Sequence, residues 1–121
     1  MILLYGNHCE HIKNSKVVFT KIGDEFWYDD WNKLHNDDLP AIIWHNGIKE
    51  YYQHGKQHRL GGPALIFSNG DCQYYQNDKL HRLDGPAVDY MYVKEWWING
   101  RQIDCQNNEE FLRVVKMKEL L

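Results

Sequence analysis

Residues 56–65 read KQHRLGGPAL, residues 79–88 read KLHRLDGPAV, and a worn copy, KLHNDDLPAI, occupies residues 33–42. The spacing is 23 residues twice, and it holds for His35, His58 and His81, for Pro40, Pro63 and Pro86, and for Ala41, Ala64 and Ala87. A fixed period of this length marks an architecture in which one small supersecondary unit is copied and stacked. Working outward, aromatic pairs separate the blocks: Tyr51-Tyr52, Tyr74-Tyr75 and Trp96-Trp97, the last arriving one residue early. A fourth, truncated unit therefore ends near Asp104.

Two turn signals fall in each period. One follows the aromatic pair, at His54-Gly55, Asn77-Asp78 and Asn99-Gly100; the other is Asn46-Gly47 and Asn69-Gly70. Asn-Gly between short runs rich in Tyr, Trp, Ile and Val predicts a hairpin, because both central residues of a type I′ turn need positive φ. Runs such as 50–53 and 64–67 are too short for helices and carry strand-forming residues. The expected fold is mainly β, an antiparallel meander of tandem hairpin repeats over residues 26–104, with about two strands per period and roughly eight in all. Pro63 and Pro86 cannot donate to a ladder, so each belongs at a strand start, bulge or edge. Gly62 and Gly85 before them are expected to take backbone angles closed to other residues, and Leu39 stands in that place in the first unit.

The flanks differ. Residues 1–25 are expected to supply N-terminal strands, with 1–5 and 16–22 as candidates, and the aromatic, acidic stretch 26–31 heads the first unit. After Asp104, Asn107 followed by Glu110 is a helix-start signature. A capping helix within 105–121 should put Phe111, Val114, Val115, Met117 and Leu121 on one face and cover the open end of the sheet.

Composition narrows the function classes. The 121 residues are 43% hydrophobic and 26% charged with a net charge of -3, a balance suited to one folded domain. No apolar run approaches the roughly 20 residues that cross a bilayer, and MILLYGNHCEHIKN lacks a charged n-region, so a soluble, unexported protein is expected. Cys9, Cys72 and Cys105 are odd in number without CxxC spacing, which points away from a disulfide framework and toward a reducing cytoplasm. With 14 Lys+Arg against 17 Asp+Glu, no basic surplus exists to neutralise duplex phosphates. Neither a membrane nor duplex nucleic acid is an expected partner.

Residues 74–87, YYQNDKLHRLDGPA, and more loosely 51–64, YYQHGKQHRLGGPA, resemble the MORN-like β-hairpin repeats, in the variant whose motif runs aromatic-aromatic-x-Asn-Gly-Lys-x-His-Arg-x-Asp-Gly-Pro-Ala. The tail from Gln102 through Asn107, Glu110, Phe111 and Leu112 to Lys118 is similar to endings of such proteins from tailed phages. The resemblance implies a hairpin meander and a phage or large-virus origin, and it carries no catalytic residue to transfer. Two departures stand out: Gly61 replaces the Asp found at Asp84, and Asn36 replaces the Arg.

Three constellations are candidates for chemistry. His58-Arg59 and His81-Arg82 either line a groove for phosphate or carboxylate, or serve the scaffold, with Arg82 paired to Asp84 and the histidines satisfying backbone carbonyls. Arg59 faces Gly61 and lacks that acid, which makes it the better ligand candidate. In Tyr51/Tyr52, Tyr74/Tyr75 and Trp96/Trp97 one member should be buried and the other exposed, the exposed set packing across strands or seating a partner. His8-Cys9-Glu10-His11 invites a metal reading, but no Pro-Cys-x-x-Cys, HExxH, phosphate loop or nucleophile elbow accompanies it, so no metal, cofactor or catalysis is expected. The expected function is stoichiometric binding of a host protein in the host cytoplasm, to inhibit a defence or take over an enzyme. The alternatives are sequestration of a small anionic nucleotide by Arg59, Arg82, Arg101 and exposed tyrosines between subunits, and a structural role in the virion. Uncovered edge strands leave homo-oligomers open.

Overall fold

A computed structural model describes residues 8–12 and 15–119. Strands β1 (His8–Ile12), β2 (Ser15–Phe19) and β3 (Glu25–Tyr28) lead into a run of two-residue strands: β4 (Ile42–Ile43), β5 (Lys49–Glu50), β6 (Tyr52–Gln53), β7 (Lys56–Gln57), β8 (Leu65–Ile66), β9 (Cys72–Gln73), β10 (Tyr75–Gln76), β11 (Lys79–Leu80) and β12 (Val88–Asp89). The longer β13 (Lys94–Ile98) and β14 (Arg101–Ile103) follow, and helix α1 (Asn108–Glu119) closes the chain. The main sheet runs β1-β2-β3-β4-β5-β8-β9-β12-β13-β14, antiparallel throughout, while β6-β7 and β10-β11 form separate hairpins. The expected mainly-β meander with a C-terminal helix is what forms. Each full unit, however, places one hairpin in the long sheet and buds a second from it, so the strands are shorter and more numerous than two per period. Of the two N-terminal candidates, 1–5 lies outside the described residues. The other is β2, which stops at Phe19 because a turn follows, with Gly23 N–H on the Thr20 carbonyl and φ +96 at Gly23.

The two turn signals make different turns. After the aromatic pairs, both central residues have positive φ: His54 and Gly55, Asn77 and Asp78, Asn99 and Gly100. That is the type I′ signature, and it matches the twist of the short hairpins. At Asn46-Gly47 and Asn69-Gly70 only the glycine is left-handed, and Gly47 and Gly70 N–H groups bond to the Trp44 and Phe67 carbonyls. These are longer connections with the glycine as a bulge, so the Asn-Gly dipeptide marked the hairpins correctly but not as type I′ turns.

The core is a line along the repeat axis. Ala41, Ala64 and Ala87 are completely buried, with Val17 and Phe111 at the two ends and Ile42, Val88 and Trp96 close behind. Ala41 and Ala64 are bonded on both sides: Ala64 donates to the Gln73 carbonyl at 2.9 Å and accepts from Tyr51 N–H at 2.7 Å, and Ala87 accepts from Tyr74 N–H at the same 2.7 Å. Alanine suits a site where backbone passes backbone with little room for a side chain. At the start of α1, Asn107 Oδ1 accepts from Glu110 N–H at 2.9 Å as expected of the cap, while Glu110 Oε2 reaches one residue further back than a capping box does and accepts from Gln106 N–H at 2.8 Å. Phe111 packs on Trp96, whose Nε1 donates to Asn108 Oδ1 at 3.1 Å. Val114 and Val115 are half-buried, whereas Met117 is exposed, so the covering face is narrower than expected. No helix among the described residues is long and apolar enough to cross a membrane.

Candidate functional site

The recurring His-Arg-x-x-Gly-Pro blocks are corners where the chain leaves a budding hairpin and re-enters the sheet. Their geometry follows from residue identity. Tyr51 N–H donates to the Ala64 carbonyl and its own carbonyl accepts from His58 N–H, at 2.7 and 3.0 Å, and Tyr74 repeats this with Ala87 and His81 at the same distances. The closed loop puts the Arg beside the aromatic ring. The Arg59 guanidinium carbon sits 3.9 Å from the Tyr51 ring centre and that of Arg82 4.0 Å from Tyr74. Nη1 of each donates at 3.1 Å to the proline carbonyl of its own corner, Pro63 or Pro86.

The glycine before each proline has a different purpose from the one expected. Neither Gly62 nor Gly85 has a positive φ; in the second corner the left-handed residue is Gly61, at φ +80, while its counterpart Asp84 in the third is not left-handed. Instead, a Cβ on Gly62 would stand 2.9 Å from the Arg59 Cζ and one on Gly85 2.7 Å from that of Arg82. Glycine is there because the guanidinium lies on it. The first unit makes the same point in reverse: Asn36 replaces Arg, reaches the Pro40 carbonyl at 3.2 Å with a shorter side chain, and leaves room for Leu39.

The histidines are also scaffold groups, but as acceptors of backbone N–H rather than partners of carbonyls. His35 Nδ1 accepts from His54 N–H at 3.1 Å, His58 from Asn77 at 3.1 Å and His81 from Asn99 at 3.0 Å. Each bond runs from one corner to the left-handed turn of the next hairpin, whose N–H the turn itself leaves unpaired. An accepting Nδ1 places the ring proton on Nε2, and in His35 that proton meets Asp37 Oδ1 at 2.9 Å. Burial holds the His81 ring below its ordinary pKa.

The aromatic pairs do not divide into buried and exposed members. Trp96 is buried and Trp97 half-buried, and all four tyrosines are half-buried. The first member, outside the short strand, lies under the corner arginine in two of the units; the second reaches back two residues to a polar side chain. Tyr52 Oη donates to Glu50, Tyr75 Oη to Gln73 and Trp97 Nε1 to Glu95, at 3.2, 2.8 and 3.0 Å. Burial first, then the Glu50 carboxylate, pushes the Tyr52 hydroxyl up to about 12.

The two arginines differ in the way the sequence suggested. Arg82 Nε donates to Asp84 Oδ1 at 2.8 Å and Nη1 lies 3.5 Å from Asp89 Oδ2. That hydrogen bond holds the Asp84 carboxyl below its ordinary pKa. Arg59 keeps the tyrosine and the proline carbonyl, but among the described residues no carboxylate is within ion-pair distance of it. Arg101, on β14, is exposed and is not among the side chains lining the cleft that Arg59 and Arg82 share.

Between successive corners lies a row of clefts. The first, about 380 Å³, lies between Asp37 and Asp38 on one side and His58, Arg59 and Leu60 on the other. The second, about 330 Å³, lies between Gly61 and Gly62 and the next corner's His81, Arg82, Leu83 and Asp84. The third, about 710 Å³, runs from Gly85 and Pro86 to the cap of α1. No family model, curated protein or solved structure matches this chain. Leu60 lines the first cleft and Leu83 the second, exposed by 71% and 47%, and Leu39 on the first corner loop is exposed by 63%.

Two polar centres escaped the sequence reading. Asp29, buried, accepts from Trp31 and Lys33 N–H at 2.8 and 3.0 Å and binds His54 Nδ1 at 2.7 Å. His54 stacks on His35 with ring centres 4.0 Å apart. Burial alone would raise the Asp29 carboxyl; the His54 ring and the two amides outweigh it and bring it to about 2. Asp24 similarly holds His45 through its amide and its ring, at 2.7 and 2.8 Å. Only the 26–31 acid cluster hinted at the first.

Proposed function

We propose that the chain is a non-catalytic binding protein that holds a protein partner stoichiometrically along its row of corners. One observation carries this reading: the recurring histidines and arginines are engaged within the scaffold, while leucines are exposed on three successive corner loops, and two of them, Leu60 and Leu83, line clefts that contain Arg and Tyr. Tyrosine and arginine are the residue types enriched at interface hot spots, and the exposed leucines add apolar area around them for a partner to cover. The resemblance to MORN-like repeats of tailed phages supports a host protein as the partner, met in the host cytoplasm, with inhibition of a defence or capture of an enzyme as the outcome. Capture from host lysate tests it with the unaltered chain beside a Leu60→Asp/Leu83→Asp variant. A partner retained at equimolar ratio by the first and lost by the second is the expected result; equal retention would refute the surface.

A second reading, sequestration of an anionic nucleotide, draws on Arg59 with its unmatched charge beside Tyr74, His81 and Arg82. Calorimetry against mono- and cyclic nucleotides separates the two, since the protein-binding reading expects no saturable heat.

A further inference from the structure

The repeat contains its own control experiment for Arg59. In the third unit the corner arginine is completed by Asp84, whose Oδ1 takes the Nε proton at 2.8 Å. In the second unit the guanidinium is held by the same two contacts, stacked on Tyr51 and tied through Nη1 to the Pro63 carbonyl, yet the acid is missing and Gly61 occupies its place. The two corners also differ in backbone, since Gly61 is left-handed at φ +80 and Asp84 is not, so the second unit offers the guanidinium no acid of its own. Arg59 lines the first and second clefts, so space for a carboxylate is open beside it, and the receptor half of the ion pair is already oriented. A guanidinium fixed by stacking and a carbonyl has little rotamer freedom left to lose, so completing its fork is favoured over ordering a free surface arginine.

We propose that Arg59 is a carboxylate receptor, and that an aspartate or glutamate side chain of the protein partner enters the second cleft to supply from outside the ion pair that Asp84 supplies to Arg82. This rests on the protein-binding reading above and names the chemistry of the partner. The other charges facing the site favour a single negative charge. Asp37 and Asp38 stand across the first cleft from Arg59, and Asp84 stands across the second with its charge shared with Arg82. A dianionic phosphate would meet about twice the repulsion from these acids that a carboxylate meets. Leu60 and Leu83 border the entrances, so the recognised acid sits next to an apolar residue of the partner.

The test uses the full chain, ¹⁵N-labelled, with the arginine Nε–H signals followed by NMR while sodium acetate replaces chloride at constant ionic strength. The Arg59 signal is expected to shift saturably, half-complete at roughly 0.2–0.7 M as befits one partly exposed ion pair, with at least a threefold smaller shift at Arg82. Gly61→Asp should escape left-handed strain by taking the backbone Asp84 already adopts, which brings the acid to Arg59 from within, and should abolish the acetate response. Equal shifts at both arginines, no saturable shift at Arg59, or inorganic phosphate saturating it at tenfold lower concentration than acetate would overturn the proposal. In lysate capture, Gly61→Asp and Arg59→Lys should each weaken partner retention at least tenfold. Unchanged retention by Arg59→Lys, whose charge remains but whose planar fork is lost, overturns this proposal while leaving the protein-binding reading intact. Saturation of Arg59 by acetate with no partner retained by the unaltered chain removes the protein source and that reading together.

Discussion

Between one corner and the next, the identity of a single residue is decided by its neighbour's reach. Arg82 and Gly85 form one such couple and Asn36 and Leu39 another. Gly85→Ala puts a methyl into the guanidinium and should cost about 1–3 kcal/mol, as overpacking does. Arg82→Asn combined with Gly85→Leu rebuilds the first unit's corner, so in denaturant melts the double variant should lose less than the sum of its singles, with a coupling of about 1 kcal/mol or more. Strict additivity would refute the coupling. Gln57 shows the opposite situation. Its Nε2 is buried without a partner, while the same place in the adjoining units is held by Leu34 and Leu80. Gln57→Leu should therefore stabilise the chain by about 1 kcal/mol, visible as a higher urea midpoint at unchanged slope.

The helix α1 and the hairpins are held by few groups each, and the groups can be named. Asn107→Ala removes the acceptor of the Glu110 N–H and should cost about 1 kcal/mol. Phe111→Ala empties a fully buried site against Trp96 and should cost about 3–5 kcal/mol, a large share of a small domain's stability. Near-ultraviolet dichroism reports the loss of Trp96 packing directly. At this scale the sequence was most readable. The alternation of turn dipeptides and aromatic pairs was enough to draw the meander, and Asn107 with Glu110 enough to start the helix. It was unreadable where a partner comes from another unit. That His58 accepts from the Asn77 amide depends on how hairpins stack, 19 residues apart, and no local pattern records it. The same limit explains the misreading of Gly62 and Gly85: glycine signals both a free backbone and a missing side chain, and only the position of the arginine tells which applies. The Gly61 and Asp84 difference, in contrast, was visible from the alignment of the units alone.

Across the whole molecule, acid should act in two stages. Burial lowers the His81 pKa from 6.5 in the folded state, so below that pH the unfolded chain takes the proton more readily and stability falls. Asp24 and Asp29 are lowered as well, by the His45 amide and by His54 with the Lys33 and Trp31 amides. Their contribution is complete above the ordinary 3.8 and is lost as pH falls below that value, for Asp29 toward about 2. Melting temperatures should be level above about pH 7, decline gently below 6.5 and drop steeply below about 4. His81→Gln should remove the gentle limb and Asp29→Asn should flatten the steep one; a profile that rises on acidification would contradict both assignments.

Every strand in the long sheet touches those nearest to it in the chain, and no connection crosses another. Excising one whole period, from Lys56 to Asp78, would bring Gly55 against Lys79, a junction the chain already makes in kind at Asp78 and Lys79. Such a shortened gene product should still melt cooperatively, and one lengthened by a copied period should gain one more groove. The protein is thus a ruler graduated in steps of roughly 10 Å, two strand spacings each, whose span can evolve by duplication without redesign.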